Sequence, residues 1–127
     1  MKEFMLLIRN QGDQKSAMSL AVHEEFLKSC ETYIIMLKKE GKLIAAQPLA
    51  REGKIVAGSK TGWKETPVDA KKEIQVGYYH IFAEDMDDAI AIAKRNPEFE
   101  YGTTASIEVR PIKTAEQTTG YVYPKSV

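Results

Sequence analysis

Residues 76–97, VGYYHIFAEDMDDAIAIAKRNP, hold a strand and the helix that returns from it. The first eight are aromatic, β-prone and apolar on both faces apart from His80. Asp85 stands where an N-cap belongs, with Asp87 and Asp88 in the first turn and Lys94 and Arg95 in the last. Both charge sets complement the helix dipole. Ala89, Ile90 and Ala93 form the inner stripe, and Asn96-Pro97 ends the helix. A strand that is apolar on both sides must be covered on both sides, and that requirement governs the rest of the chain.

Working outward, a second strand-and-helix unit lies at the N-terminus. Residues 3–9, EFMLLIR, are an apolar run bounded by charges, and the turn cluster NQGDQ follows. Residues 16–40 carry helical periodicity, with Phe26, Leu27, Cys30, Tyr33, Ile34 and Leu37 at three- and four-residue steps. Ser16 suits the start of this helix and Gly41 its end. Residues 43–47 and 54–58 read as a hairpin of two short strands around Pro-Leu-Ala-Arg-Glu-Gly, with Gly53 suited to a positive φ. Residues 59–75 are polar, show no sustained period and read as a long loop, a setting in which function often resides. Residues 104–112 alternate as a half-exposed strand, with Ala105, Ile107 and Val109 on one face.

The order β-α-β-β-β-α-β predicts an α+β domain, a ferredoxin-like split βαβ arrangement with an extra hairpin and both helices on one face. The bare second face then calls for a second copy, a homodimer closed by a two-fold axis. Residues 1–112 make the domain. The extension 113–127, ending in Tyr121-Val122-Tyr123-Pro124, is expected to pack on the domain or across the partner.

The chain has 127 residues, 43% of them hydrophobic and 28% charged, which suits one soluble core. Eighteen basic and eighteen acidic residues cancel, so no global positive field steers a polyanion, and a nucleic-acid partner is disfavoured. The single cysteine excludes an internal disulfide. The apolar run Phe4–Ile8 is too short for a signal-peptide core or a membrane span, so the expectation is a cytoplasmic protein with no membrane partner.

Few residues carry chemistry. His23 falls about 30° from the centre of the apolar stripe of its helix, which turns it inward near the end of the first strand. It reads either as a histidine bonded to a main-chain carbonyl or as a proton-transfer group tuned by partial burial. No metal is expected. His23-Glu24 begins an H-E-x-x-H pattern, but Leu27 holds the second ligand position. His23 and Cys30 are two turns apart, roughly 10 Å along the axis, too far to share one ion. His80, alone on its strand, reads first as a histidine satisfied within the sheet and second as a ligand contact. Gly58-Ser-Lys-Thr-Gly62-Trp-Lys64 misses the phosphate-loop spacing by one residue. The same stretch sets four lysines around Trp63 against Glu65, Asp69 and Glu73, which makes a solvated lid rather than a single-strand binding surface. Trp63 is a plug for that loop or the wall of a ligand pocket. Cys30 reads as an inert buried thiol. No nucleophile elbow or Gly-x-Gly-x-x-Gly run is present, and no cofactor is implied.

Taken in order, FMLLIR, AVHEEF, Glu-Gly-Lys-Leu, Ala-Gln-Pro-Leu, GYYHI, the Asp-x-x-Asp-Ala-Ile helix opening and SIEVRPI resemble the YCII-related family, in particular the branch named for a DGPF motif. The likeness covers residues 4–112. It implies a ferredoxin-like domain that dimerises through its sheets into an α+β barrel, and an active site built on a histidine of the first helix with an acidic partner. His23 falls at that histidine. Glu65-Thr-Pro67-Val68 runs in register with the DGPF stretch, with Glu65 at the aspartate and the proline kept. About six extra residues precede it, and Lys39 stands where relatives place an acid. The reading that follows is a homodimer with a small-molecule pocket between the first helix, the sheet and the 59–75 loop. His23 and Glu65 are the catalytic candidates for a lyase, isomerase or hydrolase step by proton transfer. Trp63, His80 and Arg9 are ligand contacts, with Arg9 suited to an anionic group. The alternative is a non-catalytic ligand-binding or regulatory dimer.

Overall fold

The computed structural model describes residues 1–11 and 13–124. Gly12, part of the expected turn cluster, and residues 125–127 of the C-terminal extension lie outside the described residues. Strands β1 (Lys2–Gln11), β2 (Leu43–Pro48), β5 (Glu73–Ala83) and β6 (Ser106–Pro111) form one sheet in the order β2-β5-β1-β6. Every neighbouring pair is antiparallel. Hence β1 and β2 run parallel with β5 between them, and β5 and β6 run parallel with β1 between them. Helix α1 (Leu20–Lys39) makes the first crossover and α2 (Met86–Lys94) the second, the paired split βαβ units of a ferredoxin-like α+β fold.

The two central strands decide the layering. Phe4, Leu6 and Ile8 oppose Ile81, Tyr79 and Gly77, and the first five of these pack with Tyr33 and Leu37 of α1 and Ala89, Ile92 and Ala93 of α2 in one core. The alternate residues Met5, Leu7, Tyr78, His80 and Phe82 face the other way and are half-buried. Ile8 pairs with Gly77 but Arg9 pairs with Gln75, so Val76 is an extra residue in β5. Such a bulge bends the strand and re-aims side chains at its end.

Several local expectations are corrected. Residue Ser16 does not cap α1: it lies in a 3-10 turn, Gln14–Ala17, and the cap is Ser19, whose Oγ accepts from the Val22 N–H at 3.2 Å. Asp85 does cap α2, accepting from Asp88 N–H at 2.9 Å. The α2 stripe is Ala89, Ile92 and Ala93, the i, i+3, i+4 set of one helix face, with Ile90 only half-buried. On α1 the buried residues are Phe26, Tyr33 and Leu37, while Leu27 is exposed and Cys30 half-buried. A further short helix, α3 (Glu98–Tyr101), follows Pro97.

The larger correction concerns the middle of the chain. Residues 43–47 do not pair with 54–58. Strand β2 joins the sheet edge beside β5, where Ala46 and Leu43 pack on the core. Strand β3 (Lys54–Ser59) pairs instead with β4 (Gly62–Pro67), which lies in the stretch read as a loop. Every residue of this ribbon is exposed, so its sequence carries no buried face and therefore no alternation to detect. Gly58, not Gly53, takes the positive φ, +130°. A Cβ there would lie 2.2 Å from the Gly62 carbonyl oxygen.

After β6 the chain returns once to the sheet, where Ile112 N–H donates to Glu3 O at 2.9 Å. It then closes on itself, with Ala115 bridged to Val122 and Tyr123 N–H donating to Thr114 O. Among the described residues no helix is long and apolar enough to cross a membrane.

Candidate functional site

The bulge at Val76, the end of β2 and the start of α1 converge on one hollow. Pro48 to Glu52 leave the sheet edge, pinned by Leu49 N–H donating to Val76 O at 2.9 Å. Opposite them stand the 3-10 turn and the first turn of α1. Between lies a cavity of about 620 Å³ walled by Gln11, Lys15, Ser16, Met18, Leu20, His23, residues 48–52, Ile74 and Val76. His23 is half-buried on this wall, and its own N–H closes the first helical turn on Ser19 O. Its imidazole makes no hydrogen bond or ion pair among the described residues. The turn opposite positions a cation: Arg51 Nη1 lies 3.4 Å from Ser16 Oγ, which itself donates to Asp13 O at 2.7 Å. Glu52 is the carboxylate of the wall.

A second, smaller cavity of about 200 Å³ lies deeper between α1 and the sheet. It shares Lys15, Pro48 and Val76 with the first, so the two adjoin. Its walls are mainly apolar, from Ile8, Phe26, Ile34, Ala46 and Tyr79, with a polar end at Lys15 and Glu98. Glu98 is buried, an expensive place for a carboxylate unless partners hold it. They do: Lys15 Nζ lies 2.5 Å from Oε1, and Asn10 Nδ2 donates to the same oxygen at 3.2 Å. Asn10, also buried, accepts at Oδ1 from Thr104 Oγ1 and Gln11 N–H. The Lys15 ammonium sits 4.5 Å over the Phe26 ring. Burial, with Glu98 adding to it and Lys15 opposing, pushes the Cys30 thiol up to about 11. It therefore stays protonated near neutrality and is a poor nucleophile. Burial likewise holds the Tyr33 and Tyr79 hydroxyls above their usual range, and Tyr33 donates to Ile92 O at 2.7 Å.

The other sequence candidates lie elsewhere. Glu65 and Trp63 are on the exposed β3–β4 ribbon, and Glu65 Oε1 is 3.5 Å from Lys54 Nζ. Neither residue reaches the wall that carries His23. Arg9 is on the sheet face away from the helices, 3.8 Å from Glu73 Oε1, and lines a neighbouring hollow that shares Leu49 to Glu52 and Ile74 with the His23 cavity. His80 is on that same outer face with Nε2 2.8 Å from Glu3 Oε1. Among the described residues no group of His, Cys, Asp or Glu is placed to hold a metal ion.

Sequence reasoning missed Arg51, Lys15, Asn10 and Glu98. Arg51 sits in a connection that reads as a plain turn. Lys15, Asn10 and Glu98 meet across more than eighty positions of sequence, and no local signal announces such a pairing.

The fold and this hollow define a class: a small ferredoxin-like α+β domain with a helix histidine facing a cavity at the sheet's end. A family model for the YCII-related domain matches residues 3–113, and the chain belongs to that family. No curated protein matches it.

Proposed function

We propose that the chain is a small-molecule enzyme in which His23 moves a proton to or from a substrate held in the 620 Å³ cavity. The observation that carries this reading is the half-buried His23 imidazole, facing the cavity without a side-chain or carbonyl partner. An imidazole in that position can act as general acid or base toward a bound molecule. Arg51, across the cavity, suits an anionic group of the substrate, a part first expected of Arg9. The reaction class is a lyase, isomerase or hydrolase step on a small organic acid. Glu52, which lines the same cavity from the side of Arg51, is a better candidate to orient His23 than Glu65 on the ribbon, which lines none of it. Pro67, the one residue of the motif kept here, supports the DGPF branch of the family. A homodimer closed over the outer sheet face, working in the cytoplasm, completes the proposal.

The test is a screen of small carboxylic acids for exchange of carbon-bound hydrogen with D2O, with the His23→Gln variant alongside. Loss of about 10²-fold or more in the variant is expected of a general acid–base group. Exchange unaltered in His23→Gln overturns the reading. Carboxylates that shift the His23 ring signals without any turnover favour the second reading, a non-catalytic ligand-binding dimer, which the lack of a carboxylate touching His23 supports.

A further inference from the structure

We infer that the inner cavity between α1 and the sheet is a binding site for a compact, uncharged, single-ring molecule carrying one hydroxyl, held by its ring among apolar side chains and by its hydroxyl on Glu98. Size sets the first part. An apolar cavity of roughly 150 Å³ accepts benzene, and this one is about 200 Å³, enough for a ring and one substituent. Phe26, Ile34, Ala46 and Tyr79 offer faces and edges on which an aromatic ring packs.

The polar end sets the second part. Lys15 and Asn10 both reach Oε1 of Glu98, leaving Oε2 without a donor among the described residues. A carboxylate has about four acceptor positions, so a buried one held on one oxygen has room for a ligand's O–H. Its charge is already balanced by Lys15. A cationic ligand would meet the Lys15 ammonium and an anionic one the Glu98 carboxylate, so a neutral donor is what the pair accommodates. The thiol of Cys30, protonated at neutral pH, completes an uncharged wall. None of this requires chemistry at His23.

The experiment titrates the full chain with phenol, anisole and benzene, following the methyl signals of Ile34, Ala46 and Leu27 by NMR, in parallel with His23→Gln. Phenol is expected to saturate those signals about tenfold more tightly than anisole, the effect of one hydrogen bond to a charged acceptor. His23→Gln should bind phenol unchanged, which separates this site from the reading of the outer cavity. Ala46→Phe, which fills the space, should abolish binding of all three probes, and Glu98→Gln should narrow the gap between phenol and anisole. Equal binding of phenol and anisole to the unsubstituted chain overturns the role of Glu98. Failure of any probe to saturate, or shifts centred on His23 and Arg51, overturns the site.

Discussion

Lys15 Nζ and Glu98 Oε1 meet at 2.5 Å although 83 positions separate the residues, which ties the turn before α1 to the helix after α2. The carboxylate end is almost fully enclosed, with a side-chain exposure of 7%, and the ammonium end less so at 29%. Removing the cation alone strands a buried charge, and that costs far more than a pair is worth when both ends are solvated. Lys15→Met is expected to lose about 2–3 kcal/mol in urea unfolding, below the range for a fully buried pair because Lys15 is partly wet. The double variant Lys15→Met/Glu98→Leu should recover much of that loss. A Lys15→Met loss under about 0.5 kcal/mol would place the pair with surface ion pairs.

Cys30 gives a pH prediction. Its thiol is raised from an ordinary 9.0 to about 11, first by burial and then by Glu98. The folded state prefers the neutral thiol, so its contribution to stability is whole below pH 9 and is lost as pH climbs toward 11. Alkylation of the native protein by iodoacetamide at pH 8 should run about 10²-fold slower than in urea, following the thiolate fraction. The native rate should rise up to about pH 11. Equal rates in the native and urea-unfolded chain would show a solvent-like thiol.

What the sequence reveals of this fold follows from burial. Strands β1 and β5, with α1 and α2, are visible because each buries a face and so imposes a period on its residues. Asp85 is legible as a cap because capping is local chemistry, decided within four residues. Ser16 masks Ser19 because both precede the helical stripe, and the 3-10 turn that holds Ser16 has no distinct signature. The β3–β4 ribbon buries nothing, so β3 is read as a strand with the wrong partner and β4 as loop. The site divides in the same way. His23 is found from its place on the α1 stripe, whereas Glu98 follows an ordinary Asn-Pro helix stop and gains meaning only when Asn10 and Lys15 arrive from the other end of the chain.

Gly58 tests the independence of that ribbon. Its φ of +130°, and the 2.2 Å that would separate an added Cβ from Gly62 O, leave no room for a side chain. A two-stranded ribbon with both faces wet is only marginally stable. Gly58→Ala should therefore open residues 54–67 without unfolding the main sheet. Amide exchange in the ribbon is expected to reach unprotected rates, while the amides of Leu6 and Ile81 keep their protection. Loss of protection at Leu6 and Ile81 as well would show that the ribbon supports the core.

The outer sheet face yields the last prediction. Leu7 lies opposite Tyr78, and Met5 opposite His80, on the side of the sheet that carries no helix. Their half-buried side chains form an apolar strip, with the Glu3–His80 pair beside it. Apolar surface of this kind is stabilised by coverage, at about 25 cal/mol per Å² removed from water. In the proposed homodimer a second copy would present the same strip, and a two-fold axis would set the two face to face. Leu7→Lys places a charge at the middle of that contact, where burying it unpaired is costly in both subunits at once. Sedimentation should show the unsubstituted chain as a dimer at micromolar concentration and Leu7→Lys as a monomer with unchanged far-UV circular dichroism. A monomeric unsubstituted chain at that concentration sinks the dimer, because the strip would then be stable against water on its own.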